Sequence, residues 1–205
     1  MRFAASTIFL LMAFLYPLQA QAVNEARESL AQIQAAIDNA DSAAFEKLVD
    51  LDGIIENALD VFIAKMRDPE FAGRIPPILA LALVQPAGRD KIKGLLASAG
   101  REFVLYGVGS GAFAGKKTGQ AQGGGMLAPL FAQASLGRKE ITDIGDPVRD
   151  GDSWLVPFTV RDDGNGNAYP VVGEIMVDNG KLANIKNMDQ LFDRIAREAA
   201  LGTTE

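Results

Sequence analysis

The chain of 205 residues contains neither cysteine nor histidine. Without cysteine it can form no disulfide, no thiolate nucleophile and no lipid-modified cysteine at its N-terminus. Without histidine it cannot build a Ser-His-Asp triad, and the two absences together remove the usual ligands of zinc, copper and haem. The chemistries that stay open use carboxylates, a Ser-Lys pair, a tyrosine acid or a hard metal held by oxygen atoms. We therefore expect no metal site and no cofactor.

Basic residues are also in the minority. The chain has 20 Lys and Arg against 26 Asp and Glu, which gives a formal net charge of −6. Nucleic acids and anionic membrane surfaces require a basic face on their partners, so neither is expected to bind here. The simplest interpretation of the acidic balance is that it keeps the protein soluble.

The longest uncharged apolar run lies at the start of the chain. Arg2 is followed by the apolar segment Phe3–Tyr16, by Pro17 and by the small-residue site Ala20–Ala22. This layout predicts a signal peptide over residues 1–22, with cleavage after Ala22. A retained membrane anchor is the less favoured alternative, because about 14 residues fall short of the roughly 20 that span a bilayer. We therefore expect a periplasmic or secreted protein whose residues 23–205 form a single α+β domain.

Residues 23–136 carry the periodicity of helices. Apolar residues recur at helical spacing after Asn24, at Ala26, Leu30, Ile33 and Ile37. Asp41 and Asp50 are interpreted as helix caps or turn residues, because each precedes an apolar periodic stretch. Asp52 is expected to be the N-cap of the third helix, and Asp90 the N-cap of a later helix that follows a break at residues 86–88.

Two short motifs in the helical part resemble those of a known family. The sequence D-x-x-x-F-x-x-x-V-D and a later L-V-x-P-x-G are formed by Asp41, Phe45, Val49, Asp50, Leu83, Val84, Pro86 and Gly88. They resemble the signature of an exported bacterial family of unknown function, related to the nuclear-transport-factor-2-like (cystatin-like) α+β cone. The resemblance covers roughly half of residues 23–205. It implies the fold and an exported location, and it supplies no catalytic residues.

Two further stretches offer alternatives for partner binding. Ile78–Val84 is apolar on all sides, which favours a buried helix over a surface for an envelope protein. The glycine-rich segment 107–125 predicts a mobile surface loop, or else a lid whose Lys116 and Lys117 would contact an anionic group. It is not a phosphate-binding loop, because Ser110 and Lys117 stand where that motif requires glycine and Ser or Thr.

Residues 139–187 predict an antiparallel sheet that begins with a strand over Lys139–Ile144. The alternation of Trp154, Val156, Phe158 and Val160 indicates a strand with one strongly apolar face. The stretch 162–167 predicts a hairpin loop rather than a calcium site, because the spacing of the EF-hand ligands is absent.

The last hairpin and the prolines make further predictions. Asn179 and Gly180 favour a two-residue type I′ turn, which would pair Val177 with Leu182 and Ile175 with Asn184. Pro157 and Pro170 have no N–H to donate and should lie at an edge, a strand start or a bulge.

A helix over residues 188–201 should close the domain by burying Leu191, Ile195 and Ala199. The predicted fold class is α+β: N-terminal helices packed on a curved antiparallel sheet of about four strands, with a closing C-terminal helix.

Five residues are candidates for a ligand site: Glu174, Trp154, Tyr169, Lys116 and Lys117. Glu174 has Val172 and Met176 beside it on its strand, so it either anchors a ligand in a pocket or belongs to a solvated edge. Trp154 and Tyr169 are either core residues or side chains that stack on a ligand. The sequence gives no catalytic residue.

The leading hypothesis is an exported, non-enzymatic binding or accessory domain with a cone-like pocket for a small apolar ligand. An envelope protein-interaction module is the first alternative. A carboxylate-dependent enzyme is the second, and it is disfavoured because no acid pair or base stands at a meaningful spacing.

Overall fold

The structure is a computed structural model that describes residues 24–73, 86–116 and 135–201. Its helices are α1 (24–38), α2 (Ser42–Leu48), α3 (Leu51–Lys65), α4 (Pro69–Ala72), α5 (Pro86–Gly109) and α6 (Met188–Leu201). Its strands are β1 (Lys139–Thr142), β2 (Val148–Asp150), β3 (Ser153–Asp162), β4 (Asn167–Met176) and β5 (Leu182–Ile185). The sheet is antiparallel with the order β1-β3-β4-β5, and β2 pairs with β3. The predicted α+β class, with a C-terminal helix after the strands, is confirmed.

The sheet has an inner face, which the helices cover, and an outer face. The inner face carries the buried side chains Trp154, Val156, Phe158, Val171, Ile175 and Leu182, which pack in one cluster with Ala26, Leu30, Ile33 and Ile37 of α1. Leu30 and Val156 are completely buried. Two predictions are thereby confirmed, the apolar stripe of α1 and the apolar face of β3, and their contact forms the centre of the core.

The caps of α2 and α3 follow the predicted aspartates with one correction. Asp41 accepts a hydrogen bond from the Ala44 N–H at 2.9 Å, and Asp50 accepts one from the Gly53 N–H at 3.4 Å. The prediction that Asp52 caps α3 is wrong. Asp52 lies in the first turn of α3, where its charge meets the positive end of the helix.

Helix α5 is longer than predicted at its start. It begins at Pro86 and continues through Asp90, so the prediction that Asp90 is an N-cap is wrong. Proline suits the first helical position because the N–H it lacks would have no partner inside the helix. The predicted helix from Ile78 to Val84 lies outside the described residues.

The start of the glycine-rich segment is ordered, which corrects the prediction of a loop over 107–125. Gly107 lies in the last turns of α5, and the turns of residues 110–115 bury Ala112 and Phe113. A Cβ at Gly107 would lie 2.3 Å from Cζ of Phe113, so only glycine lets this ring lie against the helix. The glycine content alone does not predict this order, because the order depends on the packing of one aromatic ring, that of Phe113, against Gly107. Residues 117–125 lie outside the described part of the chain.

The β4–β5 connection differs from the predicted two-residue turn. Ile175 pairs with Leu182 instead of Asn184, and the ladder shifts register between Glu174 and Ile175. A type I′ turn needs positive φ at both central residues, whereas of Asn179 and Gly180 only Gly180 has it, at +67°. The Asn179 side chain instead accepts a hydrogen bond from the Lys181 N–H at 2.8 Å, and the Gly180 N–H bonds to the Met176 carbonyl at 2.9 Å. The loop therefore spans residues 177–180.

Both strand prolines lie where no neighbouring strand needs their N–H, as predicted. The Pro157 carbonyl accepts a hydrogen bond from Gly145 at 2.8 Å, in the gap between β1 and β2. The Pro170 carbonyl accepts one from Asn187 Nδ2 at 2.9 Å, beyond the end of β5. Strand β1 ends at Thr142 instead of the predicted Ile144, because Asp143 has a φ of +49° and therefore leaves the extended conformation. The short strand β2 was not predicted.

Helix α6 packs on α3 through an aromatic contact and an ion pair. The Phe62 and Phe192 rings lie 5.9 Å apart, and Lys65 Nζ lies 2.5 Å from Asp193 Oδ1. Of the three residues expected to be buried, Leu191 is half-buried and Ile195 is 48% exposed, so the prediction for Ile195 is wrong. The predicted burial of Ala199 concerns a side chain outside the described part of the structure.

Two glycines of α5 give a test of the Phe113 contact. Gly107→Ala should destabilise the fold by about 2 kcal/mol, because the added methyl group meets the buried Phe113 ring. Gly94→Ala is the matched control, since a Cβ at Gly94 has no heavy atom within 4 Å. It should stabilise the helix by about 0.5–1 kcal/mol. Urea unfolding followed by circular dichroism measures both, and stabilisation by both variants would contradict the packing described.

Candidate functional site

Glu174 lies on the outer face of the sheet. Its side chain is 21% exposed, accepts a hydrogen bond from Ser153 Oγ at 3.2 Å and lies 3.5 Å from Lys186 Nζ. The buried residues that flank it on β4, Gly173 and Ile175, point to the inner face. The carboxylate is therefore a paired group on the side of the sheet away from the core helices.

The other predicted site residues do not gather around Glu174. Trp154 is buried on the inner face, opposite Ile175, with the Arg149 guanidinium 5.2 Å from its ring centroid. Tyr169 lies opposite Val160, nearer the other end of the sheet, and its hydroxyl accepts a hydrogen bond from Asn165 Nδ2 at 2.9 Å. Lys116 is exposed, and Lys117 lies outside the described residues. Of the five candidates, Trp154 alone lines the groove described next.

A groove of about 360 Å³ opens between the N-terminal half of α1 and the β4–β5 turn. Residues 25–32 of α1 form one wall and residues 176–180 form the other, with Trp154 and Ile175 between them. We call it the α1–hairpin groove. At its base α1 touches the turn, since a Cβ at Gly180 would lie 2.8 Å from Ser29 Oγ. The glycine thus lets the two walls meet.

The charged residues that line the groove are all acidic: Glu25, Glu28 and Asp178. Within the described parts of the chain, none of these three carboxylates forms an ion pair. Glu28 accepts a hydrogen bond from Gln32 Nε2 at 3.3 Å, and the buried Ser29 hydroxyl donates to the Glu25 backbone carbonyl at 3.0 Å. The groove therefore has an acidic rim above a floor of largely buried apolar side chains.

Sequence reasoning missed most of the groove for a definite reason. Glu25 and Glu28 fall outside the apolar stripe of α1, and Asp178 directly precedes Asn179 and Gly180 of the β4–β5 turn, so each carboxylate has a sufficient local explanation. Helix α1 and the β4–β5 turn are far apart in the chain, so no spacing joins them. The one indication of the groove in the sequence is that acidic residues border the apolar stripe at the start of α1.

A second cluster of ionisable groups ties the β3–β4 loop to the start of β1. Lys139 Nζ lies 2.7 Å from Asp162 Oδ1, which also accepts hydrogen bonds from Ser135 Oγ at 2.7 Å and from the Gly164 N–H at 3.0 Å. Lys139 Nζ also donates to the Ser135 carbonyl at 2.8 Å and lies 5.1 Å from the Phe113 ring centroid. The sequence predicts a hairpin loop over 162–167, whereas Asp162 is the last residue of β3 and is only 6% exposed.

This cluster holds the end of β3 against the start of β1 and so has a structural role. Burial lowers the pKa of Lys139 below its ordinary value of 10.5, although the hydrogen bond and the charge of Asp162 oppose the shift. The Asp162 carboxylate is committed to Lys139, Ser135 and the Gly164 N–H. Across residues 24–73, 86–116 and 135–201, no group of three acidic side chains is arranged to hold a metal ion.

Comparison with models of known protein families finds no match, and comparisons with curated proteins and with solved structures find none either. The resemblance to an exported family of nuclear-transport-factor-2-like fold therefore stays a prediction. Among the described residues, no helix combines the length and the apolar character needed to cross a membrane.

The Lys139–Asp162 pair predicts a non-additive pair of substitutions. Lys139→Met should cost about 3 kcal/mol of stability, because it leaves the Asp162 carboxylate buried without a cation. The double variant Lys139→Met/Asp162→Asn should recover part of that loss. Chemical denaturation of wild type, both single variants and the double variant measures the coupling. Additive losses would show that the two groups do not act as a pair.

The lowered pKa of Lys139 predicts how its contribution varies with pH. Between the folded pKa and 10.5 the unfolded chain binds the lysine proton more tightly than the folded chain does. Raising the pH through this window therefore increases the contribution of Lys139 to the free energy of unfolding. The stability difference between wild type and Lys139→Met should grow in favour of wild type as the pH rises towards 10.5. A difference that stays constant or shrinks would contradict this assignment.

Proposed function

We propose that the chain is an exported, non-enzymatic binding domain whose α1–hairpin groove takes a small cationic ligand. The observation that carries this proposal is the groove itself, which combines Trp154 and Ile175 with the carboxylates of Glu25, Glu28 and Asp178. Its volume of about 360 Å³ falls within the range of small-molecule sites. The exported location rests on the signal-peptide pattern of residues 1–22.

The apolar residues at the floor of the groove are largely covered. Trp154 is 8% exposed, and Ala26 and Ile175 are each 1% exposed, so together they offer a ligand little apolar surface. The Arg149 guanidinium lies 5.2 Å from the Trp154 ring centroid, so the ring already makes a cation–π contact. Charge is therefore the property by which this groove would select a ligand.

The rim suits a cationic ligand. Three carboxylates line the groove, and among the described residues neither lysine nor arginine lines it. An ammonium or guanidinium group would meet net negative charge there, whereas a carboxylate ligand would be repelled. Because Glu25, Glu28 and Asp178 are exposed, each interaction is weakened by solvent and by salt. We therefore expect the charge of the rim to determine which ligands bind, with modest affinity.

A binding role is favoured over catalysis by the partners of the polar groups. The Ser29 hydroxyl donates to the α1 backbone and the Gln32 amide donates to Glu28, so both serve the helix. Glu174, the carboxylate on which a catalytic pocket would depend, lies on the outer face with Ser153 and Lys186. The envelope-partner alternative depends on residues 78–84, which lie outside the described residues, or on the segment 107–125, whose residues 107–116 form the end of α5 and the turns after it.

Trp154 is the single tryptophan of the chain, so its fluorescence reports directly on this groove. We expect benzyltrimethylammonium to give a saturable change in that fluorescence, and phenylacetate, which carries the same ring with the opposite charge, to give none. The triple variant Glu25→Gln/Glu28→Gln/Asp178→Asn should weaken binding of the ammonium probe by about two- to fivefold per carboxylate. Raising the salt concentration should weaken it in wild type and have less effect in the variant.

Glu102→Gln is the matched control, because Glu102 is an exposed carboxylate of α5 that does not line the groove. It removes one negative charge without touching the site and should leave the affinity unchanged. Equal responses to the two probes, or equal effects of Glu102→Gln and the rim substitutions, would overturn the proposal. A control titration of Trp154→Phe, which has no tryptophan signal, identifies any optical artefact.

A further inference from the structure

Two asparagine–glycine pairs lie in loops of the sheet. Asn165 and Gly166 connect β3 to β4, and Asn179 and Gly180 connect β4 to β5. Both asparagines are exposed, and both glycines have a positive φ, +75° at Gly166 and +67° at Gly180. Asparagine is a thermally labile residue, and a following glycine, which has no side chain, leaves the amide carbon open to attack by the next backbone nitrogen. Each pair therefore has the sequence that favours spontaneous deamidation.

The two loops have the same backbone hydrogen bonds. In each loop the glycine N–H donates to the carbonyl four residues earlier, at 2.8 Å for Gly166 and at 2.9 Å for Gly180. The asparagine Oδ1 accepts from the N–H two residues later, at 2.9 Å for Asn165 and at 2.8 Å for Asn179. The first bond engages the attacking nitrogen and slows the reaction in both loops, whereas the second polarises the amide carbonyl in both. The backbone thus gives no reason for the two sites to differ.

The two side chains differ in the partner of the amide nitrogen. Asn165 Nδ2 donates a hydrogen bond to the Tyr169 hydroxyl at 2.9 Å. Within the described parts of the chain, Asn179 Nδ2 donates to no partner. During deamidation the side chain turns its carbon toward the glycine nitrogen and loses its own nitrogen as ammonia, and a hydrogen bond from that nitrogen opposes both steps. Asn179 is therefore the more reactive of the two residues in the folded chain.

We propose that Asn179 is the principal site of spontaneous deamidation in the folded protein, and that the product adds a fourth carboxylate to the α1–hairpin groove. Asn179 lines this groove next to Asp178, whereas Asn165 does not line it. Modification at Asn179 therefore changes the charge of the groove, and modification at Asn165 does not. The expected effect on ligand affinity rests on the proposed function, whereas the site of modification does not depend on it.

Water is the one co-reactant that this modification needs. The Gly180 nitrogen forms a bond to Cγ of Asn179, the Cγ–Nδ2 bond breaks, and the amide nitrogen leaves as ammonia with the proton of the Gly180 N–H. Water then opens the cyclic succinimide at one of its carbonyl carbons, which leaves aspartate or isoaspartate at position 179. The new carboxyl group is ionised at neutral pH in either product, so the chain gains one negative charge.

Peptide mapping by mass spectrometry tests the site without any ligand. After incubation of the folded protein at mildly alkaline pH, deamidation at Asn179 should be about two- to tenfold faster than at Asn165, because Asn165 alone must release a hydrogen bond from its amide nitrogen. Incubation in concentrated urea should remove this difference, since a glycine follows both residues. Tyr169→Phe should raise the rate at Asn165 toward that at Asn179 in the folded protein. Equal rates in the folded wild type, or faster reaction at Asn165, would overturn the proposal.

A binding measurement connects the modification to the groove. Asn179→Asp reproduces the aspartate product and should bind benzyltrimethylammonium about two- to fivefold more tightly than wild type, because it adds one exposed carboxylate to the rim. Asn165→Asp is the matched control, since it adds the same charge in a loop that does not line the groove, and it should leave the affinity unchanged. Equal effects of the two substitutions would overturn the link to the groove. If wild type does not bind the probe, the proposed function fails, and peptide mapping still decides the site of modification.

Discussion

The packing of α1 against the inner face of the sheet is the contact on which the rest of the described structure depends. Leu30 and Val156 are completely buried where the two surfaces meet, and Ile175 is 1% exposed beside them. Because α1 is fixed there, its flanks are fixed as well. One flank places Gln34 on the free edge of β1, and the other places Ser29 against Gly180 of the β4–β5 turn. The groove and the contact between Gln34 and β1 are thus two consequences of one helix–sheet contact.

The parts of this arrangement that follow from local pattern could be predicted from the sequence. The apolar stripe of α1 and the alternation along β3 each show which face of the element is buried. Asp41 and Asp50 mark helix starts, because each accepts a hydrogen bond from a backbone N–H three residues further along the chain. The β4–β5 register could not be predicted, because it depends on whether Asn179 adopts a positive φ or bonds to Lys181. The candidate site was predicted only through Trp154. The carboxylates around it are brought in by tertiary packing, which leaves no periodicity in the sequence.

The acidic residues show most clearly where sequence reasoning reaches its limit. Asp41 and Asp50 cap helices, Asp162 is buried against Lys139, and Asp178 faces the groove. Only the caps have a local signature, since a cap needs nothing beyond the backbone of the next turn. The other two roles are set by the residues that approach from elsewhere in the chain. An excess of acidic residues, interpreted from composition as solubility, therefore contains at least three different physical functions.

The two flanks of α1 differ in the kind of group they present, and this difference separates their roles. On the β1 side, Gln34 offers a neutral donor and acceptor that match a strand backbone and leave no charge at the edge. On the side of the turn, Glu25 and Glu28 offer charge that the described residues leave without an ion pair. The hydrogen bonds of the Gln34 amide are satisfied by the backbone of β1, whereas the exposed carboxylates of Glu25 and Glu28 keep their charge available at the groove. The same helix thus covers the edge of β1 on one flank and forms a wall of the α1–hairpin groove on the other.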